Sequence, residues 1–125
     1  MKLKEYVDIF QKGKDYSWQA FWLMFGTFLD EFYALKDTKM FEEEPIYNKN
    51  ITIEMRSFIA ASVDHLCDLE NLKYPKWTKD LKYVLKEPFF PSGLKGPIRA
   101  VMLIESPIAY KVRNIYVLNN VLTRV

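Results

Sequence analysis

Apolar residues recur at steps of three and four over residues 16–35, the most aromatic stretch of the chain. This spacing predicts a helix with one apolar stripe. The stripe consists of Trp18, Phe21, Trp22, Phe25, Phe28, Leu29, Phe32 and Leu35. The opposite side is also largely apolar, so we expect this helix to have neighbours on more than one side.

Five further stretches carry helical periods or helix-start signals, in which proline marks several of the boundaries. They are residues 2–12, residues 52–72, Pro75 to Pro88, the stretch opened by Pro97, and the stretch opened by Ser106 and Pro107. Inward-facing residues are expected in the third and fourth of these. They are Trp77, Leu81, Val84, Leu85, Ile98, Val101, Met102 and Ile104.

Together these elements predict an all-α fold, a compact helical bundle of about five helices around the central aromatic helix (16–36). Small residues at 60–62 would let helix 52–72 approach the aromatic helix closely, so we expect it to be the main neighbour. The C-terminal segment is predicted to be irregular, with an extended piece at 114–118 and no evident partner strand. A chain of 125 residues favours a single domain, 1–125.

The aromatic stretch is too short for a membrane span. Its uncharged run from Tyr16 to Leu29 has 14 residues, against about 20 for a span, and Asp30 and Glu31 interrupt it. The N-terminus has no signal-peptide pattern. The single cysteine, Cys67, excludes an internal disulfide. These features predict a cytoplasmic protein without a membrane partner.

Charge is distributed unevenly along the chain. Residues 1–72 carry 8 Lys and Arg against 13 Asp and Glu, whereas residues 73–125 carry 10 against 3. The basic second half favours an acidic protein surface or nucleic acid as its partner. The alternative is that opposite charges simply lie on different sides of one domain.

No recognised catalytic, phosphate-binding or metal-binding motif is present, and we expect no cofactor. The only histidine, His65, lies close to Asp64 and Cys67, but neighbouring positions on a helix point in different directions. One histidine and one cysteine are too few for a structural zinc site. We therefore interpret His65 as a structural, hydrogen-bonded residue.

Asp30 and Glu31 interrupt the aromatic helix, where an unpaired buried charge would be costly. A general base or a metal carboxylate is one interpretation. A salt bridge is the other, and its candidate cations are Arg56, Arg99 and Arg113. The candidate polar core network consists of Asp30, Glu31, His65 and Arg113.

Several short motifs resemble a group of small uncharacterised bacterial proteins. They are Phe28-Leu29-Asp30-Glu31-Phe32-Tyr33, Pro75-x-Trp77, Pro88-x-Phe90, Arg99-Ala100, Glu105-Ser106-Pro107 and Arg113-Asn114-Ile115-Tyr116-Val117. Proteins of this group are similar to ones encoded beside nucleotidyltransferase-like proteins, in pairs that resemble toxin–antitoxin modules. The resemblance implies a partner protein and carries no catalytic assignment.

The leading hypothesis is therefore a non-enzymatic helical interaction protein, an antitoxin-like partner of a nucleotidyltransferase-type toxin. Its candidate partner surface consists of Phe89, Phe90, Lys95, Arg99, Lys111 and Arg113. The alternative is a nucleic-acid-binding protein or autoregulator that uses the basic C-terminal half. The sequence also admits a homodimer, and the least favoured reading is an enzyme that uses Asp30, Asp64 and His65.

Overall fold

The computed structural model describes residues 1–124, which form an all-α fold. The five α-helices in this part of the chain are Leu3–Gln11 (α1), Trp18–Leu35 (α2), Ile53–Glu70 (α3), Ile98–Glu105 (α4) and Ile108–Lys111 (α5). The predicted fold class, with about five helices and an irregular C-terminal segment, is confirmed.

The chain divides into two compact units. Unit 1 comprises residues 1–52 together with Arg124, and unit 2 comprises residues 53–123. The single domain expected from the chain length stays a prediction, as does the pairing of the aromatic helix with helix 52–72.

In unit 1, aromatic side chains join α1 to α2. Tyr6 meets Phe28 edge to face at 5.9 Å between ring centroids, and Phe10 meets Phe21 in the same way at 5.8 Å. Edge-to-face packing adds to the free energy of burying large apolar rings. The hydroxyl of Ser17 accepts a hydrogen bond from the amide of Ala20 and so caps the start of α2.

Helix α2 buries one face of its apolar surface. Phe21, Phe25 and Phe28 have no exposed surface, whereas Leu23 and Leu35 are exposed at 73% and 63%. The apolar pattern alone predicted neighbours on more than one side of this helix. The exposure of Leu23 shows that the second apolar side faces solvent. The exposure of Leu35, the last residue of α2, corrects its place in the predicted stripe.

The segment after α2 is a loop, and the side chain of Gln11 holds it in place. Apart from a 3₁₀ turn at Thr38–Met40, residues 37–52 have no regular structure. The Gln11 amide donates to the carbonyl of Ile46 at 2.6 Å and accepts from the amide of Asn48 at 2.9 Å. Gln11 thus satisfies backbone groups that no helix or sheet would pair.

In unit 2, α3 is the most enclosed helix. All its residues from Ser57 to Cys67 are buried. The small side chains at 60–62 allow neighbouring elements to approach, and α3 packs on α5 and on two 3₁₀ turns. One of these contacts joins Phe58 to Tyr110 at 5.6 Å between ring centroids.

The helix predicted between Pro75 and Pro88 is wrong. Two 3₁₀ turns, Trp77–Lys79 and Leu81–Tyr83, replace it. Asp80 between them has an extended backbone, and its carboxylate accepts from the amide of Lys82. Aspartate favours such local bonds over a helix interior, which explains the interruption.

The inward-facing residues predicted for this segment are corrected accordingly. Leu81 is 82% exposed and Val84 is 44% exposed, while Leu85 is buried and its amide donates to the carbonyl of Arg113. A 3₁₀ turn has about three residues per turn, so a pattern read at 3.6 assigns its faces incorrectly.

The predicted extended piece at 114–118 has one partner. Phe89 forms an isolated parallel bridge with Ile115. The Phe89 amide donates to the carbonyl of Asn114 at 3.0 Å, and the Tyr116 amide donates to the carbonyl of Phe89 at 2.9 Å. This bridge is too short to make a sheet.

Within residues 1–124, none of the helices combines the length and the apolar character needed to cross a bilayer.

Candidate partner surface and the buried ion pair

A buried ion pair lies at the centre of unit 2. The Nη2 atom of Arg113 is 2.7 Å from Oδ2 of Asp64, and the two side chains are 4% and 2% exposed. Lys79 places its ammonium 2.7 Å from the same carboxylate oxygen, although its own side chain is 54% exposed. One carboxylate of α3 therefore holds two cations from different segments.

Backbone carbonyls complete the pairing of Arg113. Its guanidinium donates to the carbonyl of Ala109 at 2.6 Å and to that of Thr78 at 2.8 Å. A buried charge is tolerated when it is paired and its hydrogen-bonding groups are satisfied. The ion pair thus fastens α3 to the Trp77–Lys79 turn and to the segment that follows α5.

The candidate residue His65 lies beside this pair. It is 8% exposed, and its ring meets that of Tyr110 edge to face at 5.6 Å. Burial lowers the pKa of the imidazole, since the charged form loses hydration. Tyr110 in turn shares a hydrogen bond of 2.8 Å between its hydroxyl and that of Ser62.

The thiol of Cys67 is inert for the same physical reason. Burial, followed by the negative charge of Asp64, raises its pKa to about 12. A nucleophilic cysteine needs a lowered pKa and access to a substrate, whereas this side chain is 1% exposed.

The candidate residues Asp30 and Glu31 lie in unit 1, each with partners there. Arg124 donates to both carboxylate oxygens of Asp30, at 2.9 and 3.1 Å, and this hydrogen bonding lowers the pKa of Asp30. Glu31 binds the N-terminal ammonium and accepts from Tyr6 at 2.8 Å. These two bonds, the ammonium first, lower the pKa of Glu31.

The four residues of the predicted polar network therefore have partners that the sequence did not identify. Asp30 pairs with Arg124, which was not among its three candidate cations. Arg113 pairs with Asp64, which the sequence singled out only in the least favoured, enzymatic reading. A helix buried on all sides needs a cation for any acid it carries, so the mid-helix position of Asp64 was the signal that could have identified this pair.

The two phenylalanines of the predicted partner surface are half-buried and serve the fold. Phe89 forms the bridge with Ile115. Phe90 packs on Tyr116 at 5.5 Å between ring centroids, and the guanidinium of Arg99 lies 4.3 Å from the Phe90 ring. A cation over an aromatic face is electrostatically favourable, so Arg99 is held in one place.

The cations predicted for this surface divide into two kinds. Lys95 is exposed, and Lys111 is half-buried with its ammonium 2.9 Å from the carbonyl of Ile104. Arg113 is 4% exposed and paired with Asp64, so its assignment to a surface is corrected. Its guanidinium lies in the interior of unit 2, where it pairs with the carboxylate of Asp64.

The most unusual surface of unit 2 lies on α4 and α5. Five apolar side chains there are exposed, and we name them the α4–α5 apolar face. They are Val101 at 37%, Leu103 at 48%, Ile104 at 76%, Ile108 at 65% and Val112 at 55%. The predicted burial of Val101 and Ile104 is therefore wrong, while that of Met102 is confirmed at 1% exposed.

Two polar residues connect the end of α4 to the segments that follow it. The hydroxyl of Ser106 lies 2.5 Å from the carbonyl of Met102 and accepts from the amide of Val117 at 2.8 Å. The ammonium of Lys111 reaches back from α5 to the last turn of α4, where a cation also complements the helix dipole. The apolar face is thus held in one arrangement before any partner binds.

Among residues 1–124, no group of three His, Cys, Asp or Glu side chains is placed to hold a metal ion. The geometry offers an apolar surface with cations beside it and a sealed polar interior. Comparison of the chain with protein-family models, with curated proteins and with solved structures finds no match.

Proposed function

We propose that this chain is a non-enzymatic interaction protein that binds a partner protein through the α4–α5 apolar face. One observation supports this proposal above all: five apolar side chains between residues 101 and 112 are exposed. Large exposed apolar patches mark interaction sites in soluble proteins, so we take this segment as the candidate contact. Burying it against a partner releases its hydration water and drives association.

Three cations and one exposed acid, Glu105, lie near this face, and their net positive charge favours an acidic partner. Lys111 lies beside Ile104, and Arg99 is fixed in the first turn of α4. Lys95 lies in the loop that leads into α4. A second copy of the chain would bring these cations against one another, so like-charge repulsion opposes a homodimer through this face.

The partner we propose is a nucleotidyltransferase-type toxin, with this chain as its antitoxin-like counterpart. The motif resemblance in the sequence motivates this choice. A rigid apolar face with a basic surround suits stable binding to a surface of opposite charge, because little conformational entropy is lost on association.

The test is co-purification of the chain with a tagged nucleotidyltransferase-type protein encoded beside it. The double variant Ile104→Gln/Ile108→Gln should bind about 10- to 100-fold more weakly than the wild type, since two central apolar contacts are lost. The matched control is Leu23→Gln/Leu35→Gln, which changes two exposed leucines of α2 in unit 1 and should bind normally.

Two outcomes would overturn this proposal. One is absence of a complex between the wild-type proteins. The other is equal binding by the wild type and the α4–α5 variant. Sedimentation of the chain alone supplies a third measurement, because self-association abolished by Ile104→Gln/Ile108→Gln would assign the face to a homodimer instead.

A further inference from the structure

A second surface of unit 2 is defined by evenly spaced lysines. Between Lys73 and Lys86 a lysine occurs every three or four residues, and we name this set the lysine row. Its members are Lys73, Lys76, Lys79, Lys82 and Lys86. All five are exposed, and the only acid among residues 73–86 is Asp80.

The first 3₁₀ turn places two of the lysines, Lys76 and Lys79, on one side of the segment. In a 3₁₀ turn, residues three apart lie above one another, about 6 Å apart along the axis. Lys76 and Lys79 have this relation across the turn Trp77–Lys79.

The lysines of the row differ in whether they form an ion pair. Lys79 is bound to Asp64. Lys73, Lys76 and Lys86 form no ion pair with any residue of the described chain, 1–124. Three ammonium groups are therefore available to an anionic ligand, and Lys79 fixes the middle of the row to α3.

Aromatic side chains alternate with these lysines. Tyr74 is 43% exposed, and the ammonium of Lys79 lies 4.0 Å from its ring centroid. Its hydroxyl donates to Asp68, and this bond raises the pKa of Tyr74 to about 12. Trp77 is half-buried and meets Tyr83 edge to face at 5.8 Å.

At its C-terminal end the row borders a groove with a volume of about 630 Å³. Lys82 and Lys86 line this groove together with the apolar side chains of Leu81 and Val84. Two acids, Glu54 and Glu87, line it as well, and Asp68 lies at Tyr74 near the other end, so acids accompany both ends of the row.

We propose that the lysine row is a binding site for single-stranded nucleic acid, separate from the α4–α5 apolar face. Regularly spaced cations match a chain of phosphates, and the exposed ring of Tyr74 with the half-buried ring of Trp77 allows bases to stack. Binding is sequence-independent, because nothing in the row reads the edges of bases.

The test is fluorescence anisotropy of a labelled oligothymidylate of about 20 nucleotides, titrated with the full chain at several salt concentrations. With three phosphates neutralised, affinity should fall about 10- to 30-fold between about 50 and 200 mM salt. The triple variant Lys73→Gln/Lys76→Gln/Lys86→Gln should lose most of this binding, and its log–log salt slope should fall by about 2. The single variant Lys76→Gln should lower the slope by about 0.7.

The matched control is Lys14→Gln/Lys39→Gln/Lys49→Gln, which removes three exposed lysines of unit 1 and the same net charge. It should bind as the wild type does. The variant Ile104→Gln/Ile108→Gln should also bind the oligonucleotide normally. The result of this test therefore does not depend on whether the protein-binding proposal is correct.

Four results would overturn the proposal. The first is no binding at low salt, and the second is equal loss of binding in the row and control variants. The third is competition by polyglutamate as strong as that by the oligonucleotide at equal charge, which would assign the row to an acidic protein segment. The fourth is equal affinity for a duplex of the same length, which would exclude a contribution from base stacking.

Discussion

Helices α3 and α4 of unit 2 differ in how polarity relates to burial. Helix α3 carries Asp64, His65 and two serines, yet every residue from Ser57 to Cys67 is buried. Helix α4 has the sequence IRAVMLIE, yet Met102 is its one buried residue. Helix α3 thus buries four polar residues among its apolar ones, whereas α4 exposes most of its apolar residues.

The difference shows that burial depends on available partners as well as on hydrophobicity. The acid of α3 is neutralised by Arg113, and the hydroxyl of Ser62 is bonded to Tyr110. The apolar side chains of α4 other than Met102 are not enclosed by neighbouring segments of unit 2. An interior position that needs charge pairing is structural, whereas an exposed apolar helix is a candidate for binding.

The largest expected effect comes from the ion pair of α3. The variant Asp64→Ala leaves Arg113 buried without its carboxylate, and we expect a loss of about 3–5 kcal/mol in the free energy of unfolding, measured by urea denaturation. The double variant Asp64→Leu/Arg113→Met removes both charges and should recover most of this loss. A loss below about 1 kcal/mol for the single variant would show that the pair is not part of the sealed interior.

A smaller effect is expected at the hydroxyl pair of Ser62 and Tyr110. The variant Tyr110→Phe leaves the Ser62 hydroxyl buried without its partner, and we expect a loss of about 1–3 kcal/mol in thermal or urea unfolding. The double variant Ser62→Ala/Tyr110→Phe should lose less than the sum of the two single variants. Strict additivity would contradict a direct bond between the two hydroxyls.

His65 should make the stability of unit 2 depend on pH. Folding lowers its pKa, so below the ordinary value of about 6.5 the unfolded state binds the proton more readily. The contribution of the neutral imidazole is complete above that value and is lost as the pH falls through it toward the lower folded-state pKa. His65 is the only histidine in the chain, so melting temperatures of the wild type and His65→Gln should converge between pH 7.5 and 5.5. A constant difference over this range would contradict the assignment.

The smallest effect is expected on the exposed side of α4. The variant Ile104→Ala should change the free energy of unfolding by no more than about 0.5 kcal/mol, because this side chain is 76% exposed. Its matched control in the same helix is Met102→Ala, which should cost about 2–5 kcal/mol. Similar losses in both variants would show that Ile104 packs in the folded chain.

The sequence predicted the positions of the helices better than it predicted which side chains are buried. The stripe of α2 and the limits of α3 followed from spacing, since a helical period of 3.6 is a local property. The exposure of Leu81, Val101 and Ile104 could not be predicted from spacing, because it depends on which segments pack against them. The same reasoning explains why Arg113 was assigned to a surface although it pairs with Asp64.

Within the candidate site, the sequence located the cations but not the intramolecular packing of the two phenylalanines. Lys95, Arg99 and Lys111 lie on or beside α4 and α5, as the charge distribution suggested. Phe89 and Phe90 were expected to contact a partner, but they are held by Ile115 and Tyr116. An aromatic residue between prolines resembles a surface anchor until its packing partners are known.

The most direct test of the central claim is hydrogen exchange of the chain with and without the nucleotidyltransferase-type partner. If the α4–α5 apolar face is the binding surface, the amides of residues 98–112 should exchange at least about tenfold more slowly in the complex. Amides of α2, whose exposed Leu23 and Leu35 serve as the internal reference, should be unchanged. Unchanged exchange over residues 98–112 in a complex that has formed, with protection elsewhere, would contradict the account.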